Sequence, residues 1–458
     1  MSNETLRTLV EDVRSRRSTR RQMVKRATAL GFSLPAIGAS LRTLSASAQE
    51  TTTVAFWTTF TDPDLSIIQG IVDTYNGQAQ GHQVELVQIP PAEVTDVTKL
   101  MTAVRGGTGP DVYHLDRFIV AQRAADGLLQ DITSQVEDMA DNYLPFARAE
   151  ASYNGQMYAL PFDTDTRALY YNRAMLTESG IDPAEFDAAA GALTWDRVAE
   201  VAANFNVQDG SGNFTQMGFV PWVNQGWHYT YGFSWGGAFF DEAACEVTPD
   251  DPPIVEAFQW VYDYCAELGP QDVSAFGTPT MQPGFPSQEH PFIQGRLAMQ
   301  ITGDWVINQM ENYAADADYG ITFIPVPASG DQPSTWAGGW SVVMPEGAQN
   351  PEEAMEFMRY IAGEEGQRTY VQESRHLPTW QSLLEEEIFD ERHVFFSQEL
   401  LPIAKNRPPL PVGALYWDEL TTAWQAVYLN EEEPGPALER VKERVNAQLE
   451  GFCPITTG

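Results

Sequence analysis

The chain has 458 residues, 43 % of them hydrophobic and 11 % aromatic, with 27 Lys+Arg against 63 Asp+Glu and a formal charge of −36. At about 100–200 residues per domain this supports two to four domains or one large bilobal unit, and it excludes disorder over most of the length. A charge this negative argues against a nucleic-acid partner, which needs a basic footprint, and no apolar window of about 20 residues follows residue 50 to span a membrane.

The first 48 residues differ from the rest. They hold nine Lys+Arg and three Asp+Glu, leaving 18 Lys+Arg against 60 Asp+Glu for residues 49–458. Arg20-Arg21 precede a moderately apolar stretch, Ala27 to Leu41, and Ala46-Ser47-Ala48 forms a small-x-small site before Gln49. A charged region, an apolar region and an A-x-A site in this order predict an export signal of twin-arginine type, cleaved near Ala48-Gln49. The mature chain is then exported, to a periplasm or to the outer face of the cytoplasmic membrane.

Thr52–Trp57 reads as a strand. Asp62-Pro63-Asp64 opens a helix whose apolar residues Leu65, Ile68, Ile71, Val72 and Tyr75 follow helical spacing. Gln83–Ile89 is a second strand, Val94–Val104 a helix and Asp111–Leu115 a third strand. This alternation predicts parallel pairing and an α/β fold, with ligand contacts at the carboxyl ends of the strands. Thr58 and Asp116-Arg117 fall at that edge. Asn154-Gly155 predicts a hairpin turn, Ala168–Tyr171 is β-rich, and Thr194 caps a helix. Residues 206–253 show little periodicity. Ile254–Leu268, Pro351–Gln372, Ala414–Leu429 and Pro436–Leu449 are predicted helices.

The three cysteines, Cys245, Cys265 and Cys453, leave one unpaired; Cys245 and Cys265, twenty apart around a turn-rich stretch, are the expected disulfide. The six histidines are scattered, with no C-x-x-C and no H-E-x-x-H, so no metal and no cofactor are expected.

Several stretches occur in a telling order: Val54-Ala55-Phe56-Trp57; Gly109-Pro110-Asp111-Val112 with Gly127-Leu128-Leu129; Asn154-Gly155 through Leu160-Pro161-Phe162 to Tyr170-Tyr171-Asn172; Leu193-Thr194-Trp195; Phe292 to Met299 with Gly303-Asp304-Trp305; Gly338-Gly339-Trp340; and Leu377-Pro378. In that order the chain resembles the extracellular solute-binding proteins, family 1, that serve ABC importers, and is similar to maltose-binding protein. The resemblance implies a two-lobed, periplasmic-binding-protein-like (type II) α/β fold with the ligand in a cleft between lobes. One lobe would comprise about 50–161 plus 328–374, the other 162–327 plus 375–458, with crossings near Pro161-Phe162, Ile324–Pro327 and Ser374–Pro378. It implies a monomer that captures a sugar and delivers it to transmembrane permease subunits, without being an enzyme.

Sugar recognition needs aromatic planes for ring C–H faces and planar polar groups for hydroxyls, set among apolar walls. On this ground and on the resemblance, the expected ligand residues are Trp57, Thr58, Asp116, Arg117, Asp163, Trp222, Trp227, Trp305, Gly339, Trp340, Arg375 and Trp417. Of Asp163 and Asp165, Asp163 is the one expected to face the cleft. Trp195, Trp260, Trp380 and Trp424 are assigned to the core.

Two rival readings remain. The same fold could bind a polyamine through Trp and Asp. Alternatively, Gly232-Phe233-Ser234-Trp235-Gly236 fits the nucleophile elbow of a serine hydrolase, with Asp390 and His393 as partners. The elbow needs a strand before it and a helix after it, and residues 237–253 make a poor helix.

Overall fold

The structure, a computed structural model, describes residues 22, 25, 26, 51–78, 81–90, 95–282, 285–330 and 332–455. The expected cleavage site at Ala48-Gln49 and nearly all of the expected export signal lie outside these residues. The chain divides into two compact units, residues 1–53 with 78–83 and residues 54–77 with 84–458. The second unit holds nearly all of the described structure.

In chain order the elements that matter are β1 (Thr52–Thr58), α1 (Asp64–Gln78), β2 (His82–Gln88), α2 (Thr98–Arg105), β3 (Val112–Asp116), α3 (Pro145–Glu150), β4 (Ala159–Pro161) and β5 (Asp163–Asn172). Then come α4 (Trp195–Ala202), α5 (His228–Ser234), α6 (Pro252–Leu268), β6 (Met299–Gly303), β7 (Tyr319–Thr322), β8 (Thr335–Gly338) and β9 (Trp340–Val343). The chain continues with α7 (Pro351–Ile361), α8 (Glu364–Ser374), β10 (Leu377–Pro378), β11 (Ala404–Asn406), α9 (Gly413–Tyr428) and α10 (Pro434–Leu449).

Local sequence explains the clearest elements. In α1, Ile67, Ile68, Ile71, Val72 and Tyr75 are buried along one stripe, the pattern that holds a helix onto a sheet. Thr194 caps α4 by accepting from the Arg197 amide at 3.2 Å. Pro252 and Pro253 start α6, where their fixed φ costs nothing, and Gly269 at φ +84° ends it. The single helix expected over Pro351–Gln372 is two, α7 and α8, because Gly363 at their junction takes an extended conformation (φ −82°, ψ −179°).

Eleven of these strands form two sheets. The first runs β2-β1-β3-β9-β4. β1 and β3 pair in parallel, with Phe56 opposite Val112, as the strand–helix alternation predicts, and β9 is antiparallel to both β3 and β4. The second is built on the ten-residue β5, against which β6, β7, β8 and β10 all pair antiparallel, and β11 extends it in parallel with β8. The chain leaves the first sheet for the second at Phe162, returns at Gly339, and reaches the second again between α8 and β10. The middle passage, expected at Ile324–Pro327, is thus displaced: β8 still pairs with β5. Glycine is needed at the true passage. Gly339 has φ +124°, and a Cβ there would lie 2.4 Å from the Asp163 carbonyl oxygen.

The disulfide also differs from expectation. Cys245 is bonded to Cys453, with Cα atoms 6.1 Å apart, while Cys265 is a free thiol. Cys265 lies on the inward stripe of α6 with Phe258 and Val261, so its side chain packs as an apolar group. Cys245 sits in a surface turn beside the end of α10, 208 residues away in sequence.

Candidate functional site

The C-terminal ends of β1 and β3, the start of β9, and the facing residues of β5 and β8 surround a cavity of about 310 Å³. Five tryptophans line it: Trp227, Trp305, Trp336, Trp340 and Trp417. Between them stand Asp64, Asp116, Asp165, Arg167, His376 and Arg407.

Each side chain is placed by an identifiable local cause. Asp116 ends β3 and caps the following turn, its Oδ1 accepting from the Phe118 amide at 3.3 Å and from Arg407 Nη2 at 2.9 Å. Asp165 and Arg167 are two apart on β5, so they share one face. They pair with each other, and Asp165 Oδ1 also accepts from the Gly338 amide at 2.7 Å. The Arg167 guanidinium lies 3.5 Å from the centroid of Trp336, whose Nε1 donates to Thr230 Oγ1 at 2.8 Å. Arg407 stacks over Phe118 at 3.9 Å and faces Trp336 at 5.0 Å. Both guanidiniums are thus fixed by a carboxylate and an aromatic plane together.

Behind the cavity the electrostatics are unusual. His376 is stacked between Trp305 and Tyr370, its centroid 5.5 Å from each ring, and Nδ1 lies 3.6 Å from Asp304 and 3.8 Å from Asp163. Burial pushes the imidazole down to about 4. Burial raises both Asp163 and Asp304 well above the usual carboxylate range, and Asp64 is pushed up to about 7 for the same reason. Asp64 Oδ1, Asp163 Oδ2 and Asp304 Oδ2 have no hydrogen-bond partner. Burial thus favours the uncharged form of these three carboxyls and of the imidazole.

Of the twelve expected ligand residues, Asp116, Trp227, Trp305, Gly339, Trp340 and Trp417 line the cavity. The other six do not. Trp57 packs on the core with Lys99 Nζ 5.7 Å from its ring. Thr58 is buried and bonded to His114 Nδ1 at 3.2 Å. Trp222 is stacked on Tyr428 at 4.0 Å, because its loop packs against α9. Arg375 caps α8 in a left-handed conformation and faces Glu311 and Asp390, while the next residue, His376, lines the cavity. Arg117 is fully buried: Nε pairs with Glu150 at 2.7 Å, Nη1 donates to the Asp163 carbonyl at 2.6 Å, and Nη2 donates to the Gly338 carbonyl. It pins the two sheet passages together instead of facing a ligand. Asp163 is fully buried, its Oδ1 accepting from the Trp340 amide at 2.6 Å, and Asp165 lines the cavity in its stead.

The sequence does not single out Trp336, Arg167, Arg407 or His376. A period-two reading of β5 could have drawn Arg167 in with Asp165. Nothing local marks Arg407, which meets Asp116 across 291 positions.

Ser234 does not form a nucleophile elbow. It closes helix α5 where a strand is required, accepts from Trp195 Nε1 at 3.2 Å and donates to the Tyr231 carbonyl at 2.9 Å. Asp390 is spent capping the helix at Glu391–Val394. Among the described residues no group of three or more His, Cys, Asp or Glu could hold a metal ion, and no helix is long and apolar enough to cross a membrane.

Comparison with known proteins agrees with this architecture. Residues 58–368 match the family model described as bacterial extracellular solute-binding protein. The maltotriose-binding protein of Pyrococcus abyssi (strain GE5 / Orsay) is 23 % identical over 313 residues, 67 % of this chain and 62 % of that protein, so the match spans less than two thirds of that relative. The galactooligosaccharide-binding protein of Bacillus subtilis (strain 168) is 23 % identical over 430 residues, 92 % of this chain and 95 % of its own length. Among solved structures, CpMnBP1 with mannobiose bound superimposes with a TM-score of 0.76 at 20 % identity, covering 86 % of this chain and all of that one. The GacH receptor of Streptomyces glaucescens GLA.O does so at 0.73 and 23 % identity, covering 87 % of this chain and 99 % of its own. At such identities the likeness establishes the fold, a two-domain α/β binding-protein fold.

Proposed function

The chain belongs to the bacterial extracellular solute-binding protein family, and we propose that it captures a sugar in the tryptophan-lined cavity and delivers it to the permease subunits of an ABC importer. The observation that carries this reading is the alternation of five tryptophans with paired Asp and Arg around one cavity of about 310 Å³. Apolar planes take the C–H faces of a pyranose, and fixed carboxylates and guanidiniums take its hydroxyls. The maltotriose- and galactooligosaccharide-binding relatives support the same ligand class. Two guanidiniums, Arg167 and Arg407, stand in the wall, and they oppose a polyamine, whose every charge would be positive.

The reading extends to the rest of the chain. We infer two lobes divided near Phe162, Gly339 and Arg375-His376, a monomer, and an N-terminal twin-arginine signal removed near Ala48-Gln49. Binding by the native state alone raises stability by RT ln(1 + [L]/Kd), about 2.7 kcal/mol at 100 Kd. Thermal unfolding against a panel of mono- and oligosaccharides, with spermidine in parallel, tests the ligand class. A sugar that raises the melting temperature is the expected result. A rise with spermidine and with no sugar would overturn it.

A further inference from the structure

The carboxyls at the tryptophan cavity are of two kinds. Asp116 is tied to Arg407 and Asp165 to Arg167, and neither guanidinium pairs with Asp64, Asp163 or Asp304. Asp163 is fully buried and adjoins all three passages between the sheets. It follows Phe162 at the first, its Oδ1 accepts from the Trp340 amide just past the second, and it stands opposite Pro378 just past the third. Asp304, also fully buried, follows β6, and its Oδ1 accepts from the Trp305 amide at 2.9 Å. The His376 ring reaches in between, with Nδ1 3.8 Å from Asp163 and 3.6 Å from Asp304, too far to hydrogen-bond either. Asp64, at the start of α1, faces Asp163 and lines the cavity together with His376.

The neighbours supply little opposite charge. Arg117 spends its fork on Glu150 and two backbone carbonyls. Burial holds His114 and His393 towards the neutral form, as it does His376, and beyond His393 Arg375 and Asp390 face each other. Asp62 and Tyr370 face Asp64 and add no cation. An unpaired charge is expensive to bury, so a cluster built this way favours keeping its protons. The start of α1 favours a carboxylate at Asp64, yet burial outweighs it and pushes this group up to about 7.

A neutral sugar in the cavity takes water from Asp64 and brings no charge in return. The ionised form is then harder to hold, and the cluster draws a proton from solution. His376 loses water as well, but its imidazole is already held neutral, so it releases nothing near neutral pH. We propose that ligand capture is proton-linked: the occupied cavity retains, on the cluster of Asp64, Asp163 and Asp304, a proton that the empty cavity shares with solvent, so a sugar binds more tightly as the medium becomes more acidic. This rests on the sugar reading above and adds to it a regulation of the same site by pH.

Calorimetric titration with maltotriose, mannobiose and a galactooligosaccharide tests it, at about pH 7 in phosphate and in Tris, whose heats of ionisation differ, and again at about pH 6 and pH 8. For a sugar that binds, the wild type takes up about half a proton per ligand, read from the difference between the buffers, and binds about tenfold tighter at the lower pH than at the higher. Asp64→Asn and Asp304→Asn, uncharged at every pH, each cut that uptake by half or more. In the ligand-free protein at neutral pH, Asp304→Asn also loses intensity in the infrared carbonyl stretch of protonated carboxyls. A binding heat independent of buffer, proton release on binding, an uptake unchanged in both variants, or an infrared band that Asp304→Asn leaves untouched would each overturn the linkage. Where one variant fails to fold, the wild type and the other variant decide. Binding without proton uptake overturns the linkage alone, whereas no binding by any of the three sugars overturns the sugar reading with it.

Discussion

Tryptophan occupies two contrasting regions of this molecule. Around α4 and α6, Trp195 is fully buried, stacks on Tyr231 at 4.7 Å, and meets Trp260 at 5.0 Å and Trp235 at 5.6 Å. Trp424 closes the same cluster against Tyr231 and Phe258. These stacking neighbours are all rings, and the polar tip of Trp195 is satisfied inside the chain by Ser234. Around the cavity, Trp336 and Trp305 face the guanidinium of Arg167, and Trp340 stands beside Asp163 and Phe60. The same residue type packs a core in one region and builds a polarised wall in the other. What separates the two is the company of charge at strand ends. Dispersion and area burial explain the first region. The second holds fixed charges that would be wasteful in a core and useful to a polar ligand.

Truncation of one member of each region sharpens the contrast. Trp195→Ala should cost about 3–5 kcal/mol of stability, since it leaves a large cavity among rings, and urea unfolding reads it. A loss under about 1 kcal/mol would show that the cluster collapses around the gap and is no true core. Trp340→Ala should weaken sugar binding by about 1–3 kcal/mol while leaving the urea midpoint close to wild type. Loss of stability with intact binding would move Trp340 into the core class and break the distinction.

Charge gives a subtler handle. Asp64 holds its proton up to about 7 when folded, against 3.8 unfolded. Between those values the folded state binds more protons, so this group costs stability progressively as pH rises through the window. Asp64→Asn abolishes that slope. The variant should gain on wild type in melting temperature as pH is raised from 4 to 7, and a difference that is flat or shrinks with pH would place Asp64 in water. The smallest effect is expected at Arg375, whose partners are the surface carboxylates Glu311 and Asp390. Arg375→Ala should change ligand affinity by under about 0.5 kcal/mol, and a larger change by calorimetry would return it to the site.

Much of this organisation is legible in the sequence. The stripe of Ile68, Ile71 and Val72, the cap at Thr194 and the strand–helix alternation up to Asp116 are local patterns, and local chemistry suffices to form them. The strand-end residues Asp116, Trp305 and Trp340 follow, because the ends of strands and the turns beside them are marked in sequence. The errors share a different origin. Asp163 and Asp165 have the same residue type and the same parity on β5, and the contacts that separate them, the Trp340 amide on Asp163 and the Gly338 amide on Asp165, come from more than 170 positions away. Arg117 looks like half of a ligand-binding pair until Glu150 and the carbonyls of Asp163 and Gly338 consume its donors.

By itself the sequence determined the strongly periodic elements, their order and the parallel start of the first sheet, since those depend on periodicity and on neighbours a few residues apart. Tertiary structure alone decided that Cys245 meets Cys453, that Arg407 closes on Asp116, and that Trp336 stands under Arg167. Each of these contacts joins residues between 169 and 291 positions apart. Their energies depend on the geometry of the packed sheets, which no window of residues contains.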